Sequence, residues 1–175
     1  DAVEAVDQEG GTRLYRFYLK QGETQFLFPV TPSQVQTKVG NCNQTVQILQ
    51  MGQANLLKNA GLEEVRFKAL FPGRQYHFVQ VEEGFREPSY FLERLKDFKK
   101  AQKPVQLIIF RRLADGSQIF CSNVEMGLEE YTIVEQGGEQ GDFWVEISLK
   151  EYRKMQSIAY RPASGGNTLE KQPTQ

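Results

Sequence analysis

"PSYFLERLKDFKKAQKPVQLIIF", Pro88–Phe110, decides the fold class. Its first half is a helix by pattern. Pro88 suits the first helical position, where a backbone N–H would have no partner in any case. Phe91, Leu95 and Phe98 fall on one stripe at helical spacing, which reads as core packing. Lys96, Lys99, Lys100 and Lys103 crowd the C-terminal end, where the helix dipole favours cations, and Pro104 stops the helix. The second half, "VQLIIFRRL", is a strand. One helix therefore sits between two sets of strands.

Working outward, "RLYRFYLK" places Tyr15, Phe17 and Leu19 on one face and Arg16, Tyr18 and Lys20 on the other, the signature of a half-buried strand. Gln21–Gly22 reads as a hairpin tip leading into "QFLFPV". Pro29 and Pro32 argue against further regular pairing. "TVQILQMG" and "LEEVRFKALF" read as strands, with Val65, Phe67 and Ala69 alternating against Arg66, Lys68 and Leu70. Residues 72–88, "PGRQYHFVQVEEGFREP", read as a loop long enough to suggest a function. Downstream, "VQLIIFRRL", a type I′ turn built on Asp115–Gly116, and "QIFCSNVEM" form a hairpin. "LEEYTIVEQ" follows as a further strand, "GGEQGD" as a mobile tip, and "FWVEISLKEY" closes a meander with Val145, Ile147 and Leu149 inward. The class is α+β: a mostly antiparallel β-sheet, as a sandwich or partly open barrel, with one main α-helix. Residues 1–12 read as an N-terminal arm, 13–161 as one domain, and 162–175 as a C-terminal linker.

Composition narrows the function. The chain has 175 residues, 39% hydrophobic and 25% charged, which suits one folded domain. Its 21 basic and 22 acidic side chains give a net charge of -1, so neither nucleic acid nor an anionic membrane is a general partner. No apolar run approaches the ~20 residues of a membrane-spanning helix. There is no secretory signal peptide, and the start at Asp1 without methionine suits a processed or trimmed chain. Cys42 and Cys121 stand in no metal-ligand or CxxC spacing and read as two free thiols of a reducing compartment.

Reactive chemistry is sparse. His77 is the one histidine, and the expected catalytic, cofactor and metal sites are none. A hydrolase pairing Cys42 or Cys121 with His77 lacks any accompanying nucleophile turn. Glu63–Glu64, Glu82–Glu83 and Glu129–Glu130 are adjacent carboxylates, which a strand would point to opposite faces. "GGEQGD" lies between strands and cannot offer a helix N-terminus to phosphate. "FRR" with Lys99 and Lys100 is balanced by acidic neighbours.

Several segments occur together in a familiar order: "FLFPVTPSQV"; then Gly52, Asn55, Leu56, Leu57 and Lys58; then Leu70, Phe71 and Pro72; then the Lys-Pro end of the helix; then Gly141, Asp142, Ile147, Leu149 and Tyr152. Over roughly residues 24–153 the chain resembles the N-terminal domain of the LysM-bearing tail and baseplate proteins of contractile phages and phage-tail-like particles. The weight lies in order and spacing, since each motif alone is turn punctuation and apolar alternation.

The resemblance implies a structural baseplate protein, not an enzyme. Such a protein is assembled in the bacterial cytoplasm and joins tail tube and central hub to wedge proteins. The LysM module that binds peptidoglycan has no room before Gln175, so peptidoglycan is expected as a partner only through a module outside these residues. Arg74, Tyr76, His77 and Phe85 in the long loop are the expected protein contacts, with the 136–142 tip beside them. The competing reading is a cell-wall glycan or small-ligand binding domain, which would need a deep apolar pocket with a few converging polar groups.

Overall fold

A computed structural model of the chain describes residues 15–113, 115–138 and 141–154. The expected N-terminal arm and C-terminal linker lie outside the described residues. In chain order the elements are β1 (Tyr15–Gln21), β2 (Thr24–Leu27), β3 (Val35–Lys38), β4 (Gln44–Ile48), β5 (Gly52–Leu56), β6 (Glu64–Phe71), α1 (Pro88–Ala101), β7 (Val105–Arg112), β8 (Gln118–Glu135) and β9 (Phe143–Glu151). Seven strands form one sheet in the order β2-β1-β7-β8-β9-β6-β3, and β4 and β5 form a separate ribbon. The strand pairs are all antiparallel.

Alternation along the strands builds the core. Phe17 and Leu19 lie opposite Ile109 and Leu107. Phe67 and Ala69 lie opposite Ile147 and Val145. All of these are buried, whereas Arg66, Lys68 and Glu146 are exposed on the other face. The sheet is open but strongly curled. Four strands lie between β2 and β6 in the order, yet the rings of Phe26 and Phe71 are 6.5 Å apart. Phe28, just past β2, closes that side with its ring 5.4 Å from Phe67 and 6.0 Å from Phe71. Of the two architectures expected, this is the partly open barrel and not a sandwich.

Helix α1 covers the concave face. Phe91, Leu95 and Phe98 are its buried stripe, as expected, and Phe91 stacks on Phe71 at 4.8 Å with planes 3° apart. Fully burying one such side chain contributes about 1.5–3 kcal/mol. The helix ends before Pro104, at Gln102, whose left-handed φ of 51 reverses the chain. Lys99 reaches the sheet, donating from Nζ to the carbonyls of Leu128 (2.8 Å) and Glu129.

Those carbonyls mark a bulge. β8 pairs Leu128 with Leu149 but Glu130 with Ser148, leaving Glu129 as the extra residue. The bulge shifts parity, so Tyr131, and not Glu130, packs against the core opposite Ile147, and Ile133, opposite Val145, is exposed.

Four local readings are corrected. "QIFCSNVEM" and "LEEYTIVEQ" are one strand, because Met126 pairs both with Val105 and with Glu151 and no turn intervenes at Gly127. Regular pairing resumes after Pro32, since β3 begins at Val35 and both prolines fall before it. The first hairpin turns at Gly22–Glu23, with Gly22 at φ 59 supplying the left-handed position and Gln21 paired to Thr24. The β7–β8 turn is longer than type I′: Gly116 has positive φ but Asp115 does not, and Leu113 N–H donates to Ser117 O at 2.8 Å.

Candidate interaction surface

The loop of residues 72–87 has no regular element, but it is pinned along its length. Gly73 N–H and the Tyr76 hydroxyl donate to the two carboxylate oxygens of Asp142, at 2.7 and 2.9 Å. Gly141, at φ 81, lies beside Gly73, where a Cβ would make ordinary contact with Gly73 Cα at 3.8 Å. Gln80 N–H donates to Pro29 O at 2.6 Å, and its buried side-chain amide donates to Thr31 Oγ1 at 2.7 Å and Tyr15 O at 3.2 Å. Further on, the Tyr18 hydroxyl donates to Glu82 at 2.7 Å, and burial followed by that carboxylate pushes the Tyr18 phenol up to about 12. The loop thus fastens along β2, with a cavity of about 150 Å³ between them lined by Gln25, Val81 and Glu83, among others.

The expected contact residues fall on this pinned loop. Arg74 is exposed, and its guanidinium lies 4.7 Å from the centre of the Tyr76 ring. Tyr76 is half-buried and stacks with Phe78 at 5.0 Å. His77 is exposed and meets Phe78 edge-on at 5.3 Å. Phe85 is half-buried, farther along. Arg74, Tyr76 and Phe78 form one stack with His77 at its edge, and Phe85 stands apart from it. The Glu139–Gln140 part of the expected tip lies outside the described residues.

Sequence reading missed a second surface. Between β3 and β6 the chain runs out into a hairpin arm, residues 39–63. β4 and β5 form its ribbon, and an Asn41–Ala60 bridge sits nearer the body. Its turn uses Gln50 at φ 70 and Gly52 at φ 84. Arg153 holds the base, donating to Gly61 O at 3.2 Å and to Glu151 at 2.6 and 2.8 Å. That guanidinium hydrogen bond keeps the Glu151 carboxyl below its usual range. Glu151 in turn accepts from Glu63 N–H at 3.1 Å.

The arm is apolar where a solvated hairpin would be polar. Leu49, Leu57 and Met51 are 93%, 79% and 82% exposed, and Val39, Ile48, Leu56 and Leu62 are exposed as well. Lys58 is the one charged side chain from Val39 to Leu62. That charge gap, with Leu49 and Met51 flanking the turn, is the sequence signal that would have found it.

Elsewhere the chemistry is thin. Among the described residues no three His, Cys, Asp or Glu side chains gather as for a metal ion. Cys42 and Cys121 are both free and exposed. Among the described residues no helix is long and apolar enough to cross a membrane. A shallow concavity of about 500 Å³ on the convex face of the sheet is lined by Gln36, Arg66, Lys68, Glu130 and Glu146, among others.

No protein-family model matches the chain. It is 27% identical over 140 residues to the uncharacterized protein YqbP of Bacillus subtilis (strain 168), a match that covers 80% of this chain. The chain spans about 60% of that relative's length. Solved structures with a similar backbone include the SPP1 tail tube, at TM-score 0.47 and 10% identity over 79% of this chain and 73% of that one. The anti-feeding prophage baseplate aligns at TM-score 0.47 and 5% identity over 85% and 95% of the two chains. The cap that terminates the anti-feeding prophage tube aligns at 0.47 and 12% over 87% and 96%.

Proposed function

We propose that the chain is a structural component of a contractile phage tail or phage-tail-like injection particle. In this reading it joins the tail tube and central hub to surrounding baseplate proteins and has no catalytic turnover. The observation that carries the reading is the arm: exposed leucines and a methionine with a single charge among them, on a base fixed by Arg153. A soluble domain retains such a surface when the surface is covered in an assembly. The ordered resemblance over residues 24–153 supports the same class and adds the kind of assembly. Arg74, Tyr76, His77 and, apart from them, Phe85 are proposed as further contacts, since arginine and aromatic side chains are enriched at interfaces. Peptidoglycan enters only through a module outside these residues. The glycan or small-ligand reading has less behind it, because the concavity on the convex face is open and its lining includes charges of both signs.

The test is gradient purification of particles from a producing strain, followed by quantitative mass spectrometry. The chain is expected in particles at fixed stoichiometry, and deleting its gene should stop assembly at the baseplate. Recovery of the chain only in the soluble pool, with assembly intact after deletion, would overturn the proposal.

A further inference from the structure

The arm continues the β3–β6 pair outward, interrupted by two one-residue slips of register. β3 and β6 pair Lys38 with Glu64. The next pair outward is Asn41 with Ala60, and the ribbon begins with Gln44 opposite Leu56. Asn41 lies three residues past Lys38, but Ala60 lies four before Glu64. Gln44 lies three past Asn41, but Leu56 lies four before Ala60. Each step leaves one extra residue, and both extras sit on the strand that returns to the body. Between the slips the ladder is intact: Gly61 N–H donates to Gly40 O at 2.7 Å, and Cys42 N–H to Asn59 O at 3.0 Å.

A slip turns a backbone N–H out of the ladder, and at each one a side chain accepts it. At the outer slip Leu57 and Lys58 stand opposite Asn43, and Lys58 N–H donates to Asn43 Oδ1 at 2.9 Å. Lys58 Nζ adds a bond to Gln44 Oε1 at 2.7 Å. At the inner slip Leu62 and Glu63 stand opposite Val39, and Glu63 N–H donates to Glu151 Oε2 at 3.1 Å. Glu151 N–H donates back to Glu63 O at 2.7 Å.

We infer that residues 35–67 are one continuous hairpin that holds the arm in a single attitude, set by the two bulges and locked by Asn43 and Glu151. A lone two-stranded ribbon is marginal in water, whereas this one takes its order from the seven-stranded sheet through β3 and β6. Bulges bend a strand, add twist and pin register, because a slide of one residue would turn every side chain to the other face. The competing picture is an arm that swings about Gly40 and Gly61. Those two glycines are bonded to each other, and a Cβ on Gly61 would come within 3.2 Å of Gly40 O. Their small size therefore serves a close approach of two strands. In the assembly reading, an arm already in place presents Leu49 and Met51 without the ordering cost that a loose segment pays on binding. The inference itself concerns the free chain and stands apart from that reading.

The test measures spin-label distances in the purified full chain by pulsed electron double resonance. Cys42→Ser leaves Cys121, exposed on β8, as the label site on the body. Met51→Cys adds a label at the exposed arm tip, and Glu146→Cys, on the exposed face of β9, supplies a control pair within the body. The tip pair is expected to give one peak, within about twofold of the width of the control. Asn43→Ala and Glu151→Ala should each widen that peak by at least about twofold and leave the control unchanged. Asn43→Asp keeps an acceptor oxygen for Lys58 N–H and should stay narrow. A broader or multiple-peaked tip distribution in the parent chain, or an alanine variant as narrow as the parent, would overturn the inference. Particle incorporation is not read in this experiment. A swinging arm therefore leaves the assembly reading untouched, and a chain absent from particles leaves the single attitude untouched.

Discussion

The hydroxyl of Tyr76 donates to Oδ2 of Asp142 at 2.9 Å, joining the long loop after β6 to the start of β9. The other carboxylate oxygen accepts from Gly73 N–H at 2.7 Å, so a single aspartate fixes both ends of a short loop segment. Tyr76 is therefore a structural residue as well as a proposed contact. The two roles can be separated, because Tyr76→Phe removes the hydrogen bond and keeps the ring that stacks with Arg74 and Phe78.

Asp142→Ala leaves a backbone N–H and a phenol without their acceptor. It is expected to cost about 2 kcal/mol, and Tyr76→Phe about 1 kcal/mol. Urea unfolding of the two variants measures both. Equal and negligible effects would mean that the loop is held by other contacts.

Lys99 is expected to stabilise the bulge of β8. Its ammonium donates to the carbonyls of Glu129, the extra residue, and of Leu128 just before it. Lys99→Met should cost about 1–2 kcal/mol, while Lys100→Met, on the exposed side of the same turn, should stay within about 0.5 kcal/mol. Parallel denaturation curves for the pair supply the comparison.

Tyr18 sets an alkaline limit. Its phenol is raised from 10.0 to about 12, first by burial and then by the hydrogen bond to Glu82. A raised pKa favours the protonated phenol in the fold. The stability it contributes is full below pH 10.0 and is lost as pH rises toward about 12. Ultraviolet titration should show a late-ionising component that disappears in Tyr18→Phe and titrates earlier in Glu82→Gln. A Tyr18→Phe variant whose stability falls as steeply as wild type over that range would contradict the assignment.

How much was legible follows from what pattern can encode. The stripe of Phe91, Leu95 and Phe98 and the alternation of Val145, Ile147 and Leu149 were readable, because each segment's own period marks the side it buries. The curl of the sheet was not readable. It depends on Phe26 and Phe28 meeting Phe67 and Phe71, which are distant in sequence and carry no local mark of pairing. The continuity of β8 was hidden because the bulge at Glu129 shifts the alternation by one residue, which in sequence looks like a strand ending. The contact candidates Arg74 and His77 were readable as exposed loop residues. The arm was missed because apolar alternation in "TVQILQ" is the same whether the face is buried in its own core or left for a partner.

Arg153 is expected to control the arm's base without touching the core. Arg153→Ala removes the donors to Ala60 O and Gly61 O and the partner of Glu151. Amide exchange should quicken at Cys42 and Gly61, whose N–H groups bond to Asn59 and Gly40 across the base, and stay unchanged at Leu19 and Leu107. Because the Glu151 carboxyl is held below its usual range, the same loosening should appear in wild type only as pH falls below that range and the carboxylate takes up its proton. Exchange at the base that is no faster in the variant than in wild type would refute the clamp.

The most direct measurement is the partition of Leu49→Asp/Met51→Asp between soluble protein and purified particles in a producing strain. Both side chains are exposed, so the double variant should keep the wild-type melting temperature. Its incorporation is expected to fall by at least about tenfold, as for the loss of an interface anchor. Incorporation at the wild-type level by a folded variant would contradict the claim that this arm docks the protein into its assembly.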